Sequence, residues 1–217
     1  MTKTKKKAAV KKPAVKRKKV DRTPKEGEYK GILYESFCEL SCVYFAEELM
    51  KGGYVASISR GPSYVLCEPV VVSYAEQLKR GSKQVTQTVA NGVTYTYDYD
   101  IFFTQKAIGL FCWVLGSGVK WDKNLLVAQP VGPGVYKASI EVKPDFERTH
   151  STPKSVQSMK WLFQKHGVFV NLFRPNRIFE GLFVPALYRL TETGGQRKFK
   201  FQPKSLEQYL HLKKQTK

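Results

Sequence analysis

Glu39, Asp98, Glu141 and Lys143 are the residues of this chain whose types and settings could do chemistry. Glu141 and Lys143 lie in the run Ala138-Ser139-Ile140-Glu141-Val142-Lys143. Strand alternation puts their carboxylate and ammonium on one face and turns Ile140 and Val142 to the other. Asp98 and Asp100 interrupt the aromatic run Tyr95-Thr96-Tyr97-Asp98-Tyr99-Asp100-Ile101-Phe102-Phe103, two residues apart and so on one face. Aspartate is a poor strand former and is seldom buried alone, so the pair requires a cation, either Lys143 or a metal ion. Glu39 follows Ser36 by three residues at the head of an apolar helix, which is the signature of a capping box. Its neighbours Cys38, Leu40, Cys42 and Val43 equally suit a carboxylate turned inward. Carboxylates that hold a divalent ion, beside a lysine that orients or deprotonates water, are what hydrolysis of a phosphodiester needs. Plainer readings stand beside this one: a solvated Glu and Lys on a strand face, an edge-strand Asp opposite a lysine, and Glu39 as a cap alone.

Charge names the counterpart. The chain carries 37 Lys and Arg against 18 Asp and Glu, a formal net charge of +19 over 217 residues. Ten of these cations fall in the first twenty residues (Lys3, Lys5, Lys6, Lys7, Lys11, Lys12, Lys16, Arg17, Lys18 and Lys19) with no acid among them. Such a block repels itself, so residues 1–25 are expected to form a disordered basic arm. Polyphosphate is the natural partner, through counterion release, with an anionic membrane surface as the second candidate. The arm has no apolar core of a secretory leader, and no stretch is apolar for long enough to span a bilayer. The expectation is a soluble, intracellular protein that is not secreted, residing in host cytoplasm if the gene is viral. Cys38, Cys42, Cys67 and Cys112 form no CxxC pair and read as reduced, buried thiols rather than a zinc site.

Around these residues the elements are legible. Ser36 opens a helix with Phe37, Leu40, Val43, Tyr44 and Phe45 as its apolar side, and Gly52-Gly53 closes it. Strands are expected over 54–59, 64–67 and 70–74, a loop or exposed hairpin over 76–91, and one strand over 93–103. An apolar run over 108–115 precedes a Gly- and Pro-rich stretch over 116–134. The strand 136–143 ends at Pro144, and a second helix starts near Ser151, Thr152 and Pro153 with Val156, Met159, Leu162 and Phe163 on its apolar face. On that helix Gln157 and Lys160 are one turn apart, either reaching a phosphate or facing water. A strand over 168–173 follows, and from Thr193 a polar, basic stretch with seven Lys or Arg against Glu207 holds a short helix over 206–212. Helix, strands, helix, strand describes an α/β protein with one mixed sheet flanked by helices.

Taken in order, Tyr34-x-Ser36-x-x-Glu39, the Gly-ended helix, Tyr95-Thr96-Tyr97-Asp98-Tyr99, Ile140-Glu141-Val142-Lys143 and the second helix resemble the PD-(D/E)xK nuclease superfamily over about 34–173. The phage endonuclease I type of junction resolvase and the restriction-like endonucleases look most similar. Tyr97 stands where proline is usual and Pro144 where glycine often follows the lysine, and an insertion over 111–134 lengthens the Asp98 to Glu141 spacing. The resemblance implies a restriction-endonuclease-like domain over 26–192, between the basic arm and a basic C-terminal tail over 193–217. It implies a Mg²⁺ or Mn²⁺ site at which Glu39 is the helix acid, Asp98 and Glu141 are metal ligands, and Lys143 is the catalytic lysine, with Asp100 in reserve for Asp98. It further implies a Mg²⁺-dependent endodeoxyribonuclease, structure-selective for junctions or branched DNA, encoded by a phage or mobile element and homodimeric by analogy. Lys5, Lys6, Lys7, Lys11, Lys12, Lys16, Arg17, Lys18, Lys19 and Lys160 would bind the nucleic acid backbone. A basic DNA-packaging protein that never cuts, and an RNA-binding protein, fit the charge as well; neither accounts for the Asp pair in an aromatic strand.

Overall fold

The computed structural model describes residues 27–145, 151–191 and 194–215, so the basic arm and its lysines from Lys3 to Lys19 lie outside the described residues. A small hairpin, β1 (Gly27–Tyr29) with β2 (Ile32–Tyr34), leads into helix α1 (Phe37–Lys51). Ser36 caps α1 as its sequence demands: the Ser36 hydroxyl accepts the Glu39 N–H at 3.2 Å, and Gly53 with a positive φ carries the chain out of the helix. The sheet has six strands. β3 (Val55–Arg60), β8 (Tyr99–Thr104) and β11 (Val135–Val142) form an antiparallel meander, and β10 (Leu126–Gly132) and β9 (Cys112–Val114) extend it beyond β11. β12 (Val170–Phe173) lies parallel to the second half of β11, on the edge whose first half takes β10. At that shared edge the Asn171 carboxamide bonds both the N–H and the C=O of Val127 and also the Ser139 carbonyl. It satisfies backbone groups that would otherwise be orphaned where one neighbour replaces another.

Alternation along the strands divides the two faces. Tyr99, Ile101, Phe103, Ala138, Ile140 and Val142 join α1 in the main core with Phe45, Leu49 and Phe173. Helix α2 (Ser151–His166) packs from the other side through a smaller cluster of Leu66, Tyr97, Leu162 and Val170. Met159 and Leu162 hold it there as their spacing predicts, whereas Phe163, expected on the same face, is 44 % exposed. The molecule is thus α/β, a mixed sheet flanked by helices. Among the described residues no helix is long and apolar enough to cross a membrane.

Between β3 and β8 the chain runs out and back as one extended ribbon: β4 (Ser63–Cys67) pairs β7 (Val93–Thr96), and β5 (Val70–Leu78) pairs β6 (Gly81–Ala90). The polar segment expected as a loop or exposed hairpin is this hairpin, and the strand expected over 93–103 is two strands, broken at Tyr97-Asp98. Lys165 and His166 at the end of α2 grip the ribbon's root through the carbonyls of Val65 and Leu66.

Three features depart from the sequence reading. The Gly- and Pro-rich stretch contains β10, which tolerates Pro130 because the ladder is irregular between Pro130 and Gly132. A seven-residue helix α3 (Pro175–Gly181) follows β12, too short for periodicity to reveal. No cysteine is in a disulfide, but Cys67 is exposed; Cys42 and Cys112 are the buried ones, and burial pushes the Cys112 thiol up to about 12.

The basic C-terminal stretch carries its own apolar anchors. Helix α4 (Leu206–Gln215) buries Tyr209, whose hydroxyl donates to the Leu110 carbonyl and whose ring lies 5.5 Å from that of Phe111. Removing a buried aromatic with its hydrogen bond costs about 3–5 kcal/mol. Tyr209→Ala is therefore expected to lower the thermal midpoint by roughly 10 °C, a value set by the entropy of unfolding for a domain of this size. An unchanged melting curve would show that α4 adds nothing to the core.

Candidate active site

The sequence candidates meet where the ribbon enters the sheet. Gly61 and Asp98 face each other at the break between β3–β8 and β4–β7, with the Gly61 N–H donating to the Asp98 carbonyl at 3.0 Å. The Asp98 N–H in turn donates to the Ile140 carbonyl, so the backbone leaves β8 yet stays tied to β11. This bend delivers the Asp98 carboxylate to the end of β11, where it accepts the Val142 N–H at 2.6 Å. Val142 is the residue between Glu141 and Lys143. Those two form an ion pair of 2.9 Å, and Tyr95 of β7 donates its hydroxyl to the other Glu141 oxygen, also at 2.9 Å.

Glu39 approaches from α1, on the opposite side of the sheet from Tyr95. One of its oxygens pairs with Arg60 at 3.1 Å, the other lies 3.3 Å from the Ser36 hydroxyl, and the Tyr99 hydroxyl is a long 3.5 Å away. Capping and an inward-facing carboxylate thus coexist: Ser36 caps the backbone, while the Glu39 side chain is buried among partners from β3 and β8. Arg60 stacks on the Tyr99 ring at 4.8 Å, which fixes the guanidinium beside the acid.

The electrostatics tie the three carboxylates together. Burial first, then the nearby charges of Glu141 and Glu39, push Asp98 up to about 7 against the downward pull of the Val142 N–H and Lys143. An aspartate that resists ionisation chiefly because it is buried, and further because two other acids lie near it, sits in a site where added positive charge is favourable. Tyr95 is raised by burial and then by Glu141, which keeps its hydroxyl a donor to that carboxylate.

Asp100 does not join this group. Its oxygens take the Ser139 hydroxyl at 2.7 Å and the Tyr97 hydroxyl at 3.1 Å, with the Lys137 ammonium at 3.8 Å. Alternation alone would point both aspartates alike; the bend at Asp98 separates them. Lys160 and Gln157 are exposed on α2. Two residues that the sequence reading passed over belong to the site. Tyr95 could have been suspected from its position in the aromatic run, but nothing in sequence singled out Arg60 as the partner of Glu39.

Asp98, Glu141 and a backbone carbonyl near Val142 are hard oxygen donors and suit Mg²⁺ or Mn²⁺ rather than a soft metal. Among the described residues no three His, Cys, Asp or Glu side chains already stand close enough together to hold an ion. Glu141 is turned to Lys143 and Tyr95, so holding an ion would require its side chain to exchange the ammonium for the metal. The donor set fits; the cage is not preformed.

Gly61 sets the position of Asp98 without touching a carboxylate. A Cβ there would overlap the Tyr97 carbonyl oxygen and ring, against backbone that cannot yield without moving Asp98. Should the cluster be catalytic, Gly61→Ala is expected to displace the Asp98 carboxylate by a fraction of an ångström or more and to cut turnover about 100-fold with all four candidate side chains intact. Wild-type turnover in a folded Gly61→Ala protein would show that the bend does not position the site.

The chain matches no family model, no curated protein and no solved structure.

Proposed function

We propose that this protein is a Mg²⁺-dependent endodeoxyribonuclease with a restriction-endonuclease-like core made of α1, β3, β8, β11, α2 and β12. One observation carries the reading: the Asp98 carboxylate rests on the amide between Glu141 and Lys143, bringing residues from distant parts of the chain to one strand end. In support, Glu39 reaches the same region from α1, close enough for its charge to bear on Asp98.

Mg²⁺ held by Asp98 and Glu141 would supply Lewis-acid stabilisation of the charge that gathers on the phosphate. The chain's own groups do the rest. Lys143, released from Glu141, orients water for in-line attack and takes part in its deprotonation. Glu39, held by Arg60 and Ser36, fixes a water on the α1 side. Tyr95 keeps Glu141 aimed at the strand end. The cations of the first twenty residues provide sequence-independent affinity for the phosphate backbone and diffusion along it.

A binding protein that does not cut is the competing reading, favoured by the closed Glu141–Lys143 pair. Labelled junction, flap, duplex and single-stranded DNA incubated in Mg²⁺ and in EDTA distinguish the two. The nuclease produces nicks in Mg²⁺ only, and cutting confined to branched substrates makes it structure-selective. Equal binding in both buffers with no product in either would leave the packaging role.

A further inference from the structure

The β5–β6 ribbon is built in a way the nuclease reading does not use. Every residue of β5 is exposed, and in β6 only Val85 is partly covered. The register pairs Val72 with Gln87, Tyr74 with Val85 and Glu76 with Lys83 on one face, and Val71 with Thr88, Ser73 with Thr86 and Ala75 with Gln84 on the other. Alternation therefore gathers Val70, Val72, Tyr74, Leu78 and Val85 on the first face, while hydroxyls and amides dominate the second. Ser73 and Thr86 satisfy each other there at 3.1 Å. On the apolar face Val70, Val72, Tyr74 and Leu78 are 43–53 % exposed.

A two-stranded ribbon with nothing against it is marginal in water, and an apolar stripe of this size is as large as the largest patch of an ordinary monomer, which commonly serves a function. Charge tells what covers it. In a chain of +19, residues 63–78 and 84–96 hold Glu68 and Glu76 and no Lys or Arg; the cations Lys79, Arg80 and Lys83 are confined to the tip. A shaft without cations is a poor nucleic acid surface. On it a second, equally basic copy also meets less repulsion than on the Lys- and Arg-rich stretches of the chain.

We propose that the apolar face of the β5–β6 ribbon is the surface through which two copies of this chain associate, face against face about a two-fold axis. The contact is isologous, which requires a patch that complements itself. An apolar stripe does so, and one acid and one base on the same face let Glu76 of each copy approach Lys83 of the other. Half-exposed Val, Leu and Tyr side chains offer on the order of 500 Å² per copy, so pairing reaches about 1,000 Å², the lower end of specific interfaces. The dimer is accordingly one that dissociates on dilution. This inference does not rest on the carboxylate site.

Sedimentation equilibrium of the full chain in high salt, over a micromolar dilution series, tests it. Wild type should pass from dimer to monomer. Val72→Glu with Val85→Glu, which sets like charges in the interface, should weaken association at least about 100-fold. Ser73→Glu with Thr86→Glu, on the opposite face, should leave it unchanged. A wild type that is monomeric throughout, an apolar-face variant that still dimerises, or equal loss in both variants would overturn the proposal. A second measurement avoids substitution: isotope-labelled and unlabelled wild type are mixed and joined with a zero-length carbodiimide. Mixed-isotope Glu76–Lys83 peptides are expected, and same-isotope peptides alone would refute the contact.

Discussion

Glu141→Ala is expected to abolish Mg²⁺-dependent cleavage, by about 10³-fold or more, while DNA affinity in EDTA stays within a few-fold of wild type or rises. The asymmetry follows from what Glu141 touches. Its oxygens hold Lys143 and Tyr95, and it lies at the strand end beside Asp98. Removing it would take away a proposed metal ligand and one partner of Lys143, yet it deletes a negative charge from a surface that phosphate would approach. Affinity therefore cannot fall for electrostatic reasons. Lys143→Ala should give a similar loss of turnover for a different reason: Glu141 keeps Tyr95 and can still hold an ion, but water is no longer oriented. The two variants thus separate in metal binding, which Lys143→Ala keeps and Glu141→Ala loses. Cleavage surviving in either variant, measured on the same substrate and preparation, would remove that residue from the site.

Asp98→Asn should lose activity to a comparable degree and at the same time make the folded protein more stable above neutral pH. Asp98 sits at about 7 in the folded protein, against an ordinary value near 3.8. Between those values the folded chain holds a proton that the unfolded chain has released. Stability therefore falls as pH rises through this window, and the cost of ionising Asp98 is fully present above about pH 7. Asparagine still accepts the Val142 N–H but never ionises. Thermal midpoints of wild type and variant should nearly coincide at pH 4 and diverge toward pH 8, with the variant the higher. Mg²⁺ should raise the wild-type midpoint at pH 8 and leave the variant's alone. The acid limb of activity follows from the same group, since a proton and a metal ion compete for it: turnover should fall about tenfold per pH unit below 7. A variant less stable than wild type at pH 8 would mean that Asp98 is a structural acceptor and not a strained ligand.

These predictions draw on features that differ in how far the sequence disclosed them. Local signals were reliable. Ser36 and Gly52-Gly53 marked both ends of α1, and alternation in β11 correctly assigned Ile140 and Val142 to the core and Glu141 with Lys143 to the other face. The mixed sheet flanked by helices followed from the order of elements. What stayed hidden depended on pairing between distant segments. β10 looks like a loop because Pro130 and Gly132 break its pattern, and only its place against β11 and β9 makes it a strand. The bend at Asp98 arises because Gly61, in the link between β3 and β4, lets the backbones approach, so parity could not separate Asp98 from Asp100. Arg60 lies 21 residues from Glu39, and no spacing rule joins a strand arginine to a helix acid. The length between Asp98 and Glu141, which sequence could attribute only to an insertion, is filled by β9 and β10 as added strands of the sheet.

Asp98 and Glu141 are proposed to serve one divalent site. Calorimetric titration of Mn²⁺ into the full chain at pH 8 measures this without any substrate. A single saturable site is expected in wild type, weakened at least about tenfold by either Asp98→Asn or Glu141→Ala and retained in Asp100→Asn. Binding unaffected by the first two substitutions, or lost in the third instead, would contradict it.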